Sequence, residues 1–126
     1  MHEAAVVIVG IILLVIIDGT YLTLSRDVYA PILSLTENFR YGPALLAWIL
    51  IFSGAYWQAK SSSSVRQAAI NGAVFGFLAY GIYNATNLAT IIKPNSASVR
   101  MAAQDTLWGT ILASTLTAST YYMLQV

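Results

Sequence analysis

Cysteine is absent from the 126 residues, and histidine occurs once, as His2. Without thiols the chain forms no disulfide, thiolate metal site, iron-sulfur cluster or cysteine nucleophile, and one imidazole builds no histidine metal cluster. No metal and no cofactor is therefore expected. Charge is scarce too: Asp, Glu, Lys and Arg make up 9% of the residues, against about a quarter in an ordinary soluble domain. The six basic residues are scattered singly and the net charge is +1. That leaves no patch to follow a phosphate backbone, which excludes nucleic acid as a partner.

What is present is apolar. Hydrophobic residues make up 58% of the chain, and the mean hydropathy is +0.70. A chain of this composition belongs in a lipid bilayer. A helix crossing the hydrocarbon core needs roughly 20 mostly apolar residues, and four such stretches lie between charged residues, at about 4–25, 41–58, 67–92 and 101–124. The first opens with the apolar run Ala4 to Ile17, meets Asp18 and leaves at Arg26. It lacks the basic start and small-residue cleavage site of a signal peptide, so it reads as a retained span. The second has Pro43 in its first turn, with Tyr41, Tyr56 and Trp57 where aromatic belts meet the membrane interfaces. The third lies between Arg66 and Lys93-Pro94, and the fourth ends on Tyr121 and Tyr122. Ser61 to Ser64 make a short turn that forces their neighbours antiparallel.

The expected fold is therefore all-α: one domain over residues 1–126, an integral membrane four-helix bundle with both termini on one side. In the first loop Val28, Ile32, Leu35 and Phe39 recur at helical spacing, which predicts a short interfacial helix from about Pro31. Arg26, Arg40, Lys93 and Arg100 flank loops one and three, against Lys60 and Arg66 on the other face, so the excess of positive charge places loops one and three in the cytoplasm.

Depth can be counted from those loops. Asp18, Asn84, Asn87 and Asp105 lie five to nine residues from Arg26, Lys93 and Arg100, which converts to roughly 8 to 13 Å below the same face. Polar groups of three helices thus share one level of the bilayer. Together with their neighbours Tyr83 and Trp108 they are the candidate cluster for a ligand or ion. For the two Asn, hydrogen bonding between helices is the alternative to ligand contact. An Asp at the centre of a span costs about 2.5 to 3.5 kcal/mol, so Asp18 and Asp105 need a reason to be there. Arg26 and Arg100 could serve as their counter-ions. On the third span Ala69, Gly72, Gly76, Tyr80, Tyr83, Asn84 and Asn87 share one face, and the spacing of Gly72 and Gly76 suits close helix packing. Gly109, on the face of Asp105 and Trp108, can admit a close neighbour as well. The stripe of Thr106, Thr110, Ser114, Thr117 and Tyr121 is expected to bond its own preceding turn or a neighbouring helix.

Three motifs stand in order: Asp18 with Tyr21-Leu22, then Tyr83-Asn84-Ala85-Thr86-Asn87-Leu88-Ala89-Thr90, then Asp105 with Trp108-Gly109. In these the chain resembles domain-of-unknown-function family 2177, membrane proteins of bacteria and of some large DNA viruses. The resemblance covers nearly the whole chain and implies four spans. It departs from the family pattern at Tyr21, where Trp is expected, and at Asn84, where Asp is expected, which removes a third carboxylate. No activity comes with it. Three functions are compatible with these residues. The first is a non-catalytic structural or assembly component packing with itself or with partner membrane proteins, in its viral version a protein of a virion's internal membrane. The second is a transporter or channel subunit with Asp18 and Asp105 as a proton or cation site. The third is a membrane-embedded hydrolase using the same two carboxyls as acid and base. No residue is assigned as catalytic.

Overall fold

A computed structural model describes residues 1–32, 40–90 and 92–126. Among these the chain is entirely helical: α1 (Glu3–Leu24), α2 (Arg26–Tyr29), α3 (Tyr41–Lys60), α4 (Val65–Thr90) and α5 (Ser96–Gln125). The four long helices correspond to the four apolar stretches, and local chemistry sets their ends. Helix α5 starts five residues before the apolar stretch expected from 101, because Asn95 and Ser98 form a reciprocal cap. The Asn95 side chain accepts the Ser98 N–H at 2.9 Å, and the Ser98 hydroxyl accepts the Asn95 N–H at 2.9 Å. Polar residues thus carry the helix out past Arg100. In the serine turn the Ser64 hydroxyl accepts the Gln67 N–H at 3.1 Å, satisfying an otherwise open donor of the first turn of α4.

The first loop opens with a helical turn, α2, ahead of Pro31. A proline is tolerated just beyond a helix end, so the turn can close on Ala30, whose N–H reaches the Arg26 carbonyl at 2.8 Å. The expected interfacial helix falls on residues 33–39, which lie outside the described residues.

Helix α5 is the hub of the bundle. It packs along α4 most extensively and touches α3, α1 and α2, whereas α1 and α4 do not pack on each other. The α4–α5 seam brings backbones into contact: a Cβ on Gly72 would stand 2.5 Å from the Ala113 carbonyl oxygen, and one on Gly76 would run into the Gly109 carbonyl. Gly109 in turn receives the flat face of the Tyr80 ring. Two further glycines take aromatic rings, Gly10 under Phe52 and Gly54 under Phe75. The core between them is Leu14, Phe52, Ala55, Leu112 and Leu116, all buried. Along α5 the Thr106 and Thr110 hydroxyls bond the preceding turn, and Ser114 crosses to the Ala69 carbonyl at 2.8 Å.

Among the described residues α1 alone is both long and apolar enough to read as a membrane span by composition. The other three are long enough, but their glycines, hydroxyls, amides and tyrosines dilute their hydropathy. On α4 and α5 some of these, Gly72, Gly76, Asn84, Gly109, Thr117 and Thr120, are buried. At the end carrying the serine turn, Lys60 meets Glu3 at 2.7 Å across two exposed side chains. The Lys60 hydrogen bond, and then its charge, lower the Glu3 carboxyl from its ordinary value, and Glu3 raises Lys60 in the same way.

Gly76→Ala should destabilise the protein by about 1–3 kcal/mol through overpacking, read as thermal unfolding by circular dichroism in detergent. Gly19→Ala and Gly42→Ala, which meet nothing within 4 Å, should not lower the transition, since an open helical site gains from alanine. The Glu3–Lys60 tie should stay intact between about pH 4.5 and 10.5, the ordinary values of the two groups. It weakens only as pH falls through the lowered Glu3 value or rises through the raised Lys60 value. Protection of the amides in the first turn of α1, taken relative to the intrinsic exchange rate at each pH, should therefore fall outside that window and in high salt.

Candidate binding site

The late turns of α1 carry Asp18, which is buried at 8% exposure. Both of its oxygens are engaged by indoles: Oδ1 accepts the Trp108 N–H from α5 and Oδ2 the Trp48 N–H from α3, each at 2.8 Å. On the third turn of α5, Asp105 is held in the same manner by different chemistry. Its Oδ1 accepts the Tyr29 hydroxyl from α2, and its Oδ2 the Asn84 amide from α4, again at 2.8 Å each. The Asn84 amide also reaches the Tyr80 carbonyl at 2.9 Å and the Thr106 hydroxyl at 3.2 Å. Each carboxylate therefore ties its own helix to two others.

Tyr21 joins the two halves. Its ring stacks on Trp108 with centroids 4.0 Å apart and planes within 6°. Its hydroxyl lies 3.1 Å from that of Tyr29 and accepts the Gln104 amide at 3.1 Å. Burial, reinforced by the Tyr21 hydroxyl and the Asp105 charge, raises the Tyr29 hydroxyl far above its ordinary range, so it remains a neutral donor. The expected counter-ions do not take part: among the described residues the ion pair is Lys60–Glu3, and neither Arg26 nor Arg100 reaches an Asp. Indole, phenol and amide donors occupy every carboxylate oxygen instead.

Beside this network lies a cavity of about 540 Å³. Asp18, Asp105 and Asn84 face it, with Trp48, Tyr80 and Ile51 among its walls. Tyr83 and Asn87 line it too, but differently from Asn84. Tyr83 stands at the edge with 56% exposure, and the half-buried Asn87 side chain has no hydrogen-bond partner among the described residues. Trp108 lies behind Asp18 and orients it without lining the space. Among the described residues no three His, Cys, Asp or Glu side chains gather to hold a metal ion. Sequence reasoning missed Trp48 and Tyr29. Trp48 left a usable signal, an indole donor in mid-span and away from the interfacial belts, whereas Tyr29 sits in a loop where nothing marks it.

The sequence profile of a family described as a predicted membrane protein matches residues 4–122. The chain belongs to domain-of-unknown-function family 2177. No curated protein and no solved structure matches it. This member of family 2177 is a helical membrane protein, and the match takes in all the residues of the network. The Asn84 amide donates to Asp105 permanently, a bond that a carboxyl at this position could make only while protonated.

Asp18→Asn keeps the size of the side chain but offers one acceptor and one donor to two indole N–H groups. One indole then faces an N–H and loses its bond, which should cost about 1–3 kcal/mol. The loss should appear as a lower unfolding temperature and a changed near-ultraviolet tryptophan spectrum, while Asp27→Asn, at an exposed site, should alter neither.

Proposed function

We propose that the protein crosses the membrane four times and binds a small molecule in a chamber within the bilayer, in the half nearest loops one and three. The observation that carries this reading is the cavity between the two neutrally solvated carboxylates. A purely structural component would be served best by a filled interior. Here about 540 Å³ stays open beside Asp18, in the range of small-molecule sites. The lining residues all come from the same end of the bundle: the late turns of α1 and α4, the first half of α3, the early turns of α5, and Tyr29 of α2. Below them Leu14, Phe52, Ala55, Leu112 and Leu116 fill the interior. That plug favours a one-sided chamber over a channel through a single bundle. Acid and base catalysis has less support, because every Asp18 and Asp105 oxygen already accepts a hydrogen bond.

Four crossings are supported by length and by the outer surface. Helices α3, α4 and α5 have 20, 26 and 30 residues, enough at about 1.5 Å per residue to span a core of about 30 Å. Their outer faces carry exposed Leu46, Leu50, Phe77, Ile82, Leu107 and Ile111, as lipid contact requires. The Glu3–Lys60 pair sits where the N-terminus and the serine turn share a side. The basic residues then favour the cytoplasm for loops one and three.

Because the chain has no cysteine, each introduced one is a sole reporter. In sealed vesicles a membrane-impermeant thiol reagent should treat Ser61→Cys and Val126→Cys alike and Asp27→Cys and Ala97→Cys in the opposite way. Equal labelling of Ser61→Cys and Ala97→Cys would remove the four-crossing arrangement.

A further inference from the structure

We infer that the chamber takes the positively charged head of a single-chain amphiphile, an organic amine or quaternary ammonium, whose alkyl chain leaves sideways between α3 and α4 into the lipid. This rests on the binding reading above and adds the chemistry of the ligand. Two carboxylates face one cavity, and among the described residues no cation is paired with either. Their partners are neutral donors, which replace lost hydration but leave the charge uncompensated. A cation entering the chamber supplies the missing balance.

The walls decide which cation. Trp48, Tyr80, Tyr29 and Tyr83 present aromatic surface to the space, and aromatic faces attract organic ammonium groups. A hard metal ion needs an oxygen cage of about six or more ligands, and the walls here are mostly carbon. The flank decides the rest. Leu50 and Tyr83 line the chamber yet are 61% and 56% exposed, so the space opens between α3 and α4 on the face turned to lipid. Ala47, small and exposed, borders the same opening. Helices α3 and α4 close on each other near their turn, where Gly54 receives Phe75, and an alkyl chain can pass above that contact. A phospholipid fits worse, because its phosphate would meet two carboxylates.

Trp48 and Trp108 both touch Asp18, and Trp57 is 73% exposed, so a Trp57→Phe background confines the tryptophan signal to this site. Dodecylpyridinium carries its charge and a contact quencher in the same head. In phosphatidylcholine vesicles below the lytic ratio it should quench this protein saturably. Asp105→Asn and Ala47→Leu should each raise the half-quenching mole fraction by about fivefold, roughly one cation–π contact or more. Ala47 lies at an exposed wall position, so its variant keeps the test valid if Asp105→Asn misfolds. N-methylpyridinium, the same head without a chain, should need far higher concentrations. If both probes saturate at equal concentration, the ligand is a free ammonium solute: the amphiphile inference fails and the binding reading stands. Linear quenching by dodecylpyridinium that neither variant changes, with no effect of N-methylpyridinium, overturns both.

Discussion

A carboxylate taken out of water loses several kcal/mol of solvation unless donors replace it, and the interior of this bundle is arranged around two of them. Asp18 and Asp105 are each met on both oxygens at 2.8 Å by groups that carry no charge. Those donors come from α2, α3, α4 and α5, so satisfying two side chains fixes the relative positions of all five helices. Packing in lipid supplies little directional force of its own. The hydrogen bonds therefore set which face of each helix points inward.

Small residues make that arrangement reachable. The Asn84 amide can reach Asp105 only because α4 and α5 lie close, and the backbone contacts at Gly76 and Gly72 bring them together about two and three turns away along α4. Gly109 performs a related task by seating Tyr80, whose carbonyl accepts from Asn84. On the other side Gly10 and Gly54 seat the rings of Phe52 and Phe75, so the helices close there, while further along α3 and α4 the chamber remains open. One half of the bundle is thus close-packed along α4 and α5, and the other leaves a chamber beside the polar network.

Much of this was legible in the sequence. The lengths and positions of the long helices followed from apolar runs between charged residues, and equal depth counted from the loops put Asp18, Asn84, Asn87 and Asp105 in one slab. All four line one cavity. The partners were less legible. Opposite charge suggested Arg26 and Arg100, but a long guanidinium near a helix end gains more by staying hydrated than by following a carboxylate inward. Indoles and a phenol already in the interior need acceptors of their own and bring no second desolvation penalty.

By itself the sequence determined an all-helical membrane chain with no cysteine chemistry, its polar groups at one level and Gly72 and Gly76 on one face of the third long helix. Periodicity and composition act along a single helix, and that is enough for those features. Tertiary structure decided which donors close on which carboxylate, that Trp48 and Tyr29 belong to the site while Trp108 stands behind it, and that space remains between α3 and α4. These depend on the separation of helices distant in sequence, as Tyr29 and Asp105 are, and a one-dimensional pattern carries no such distance.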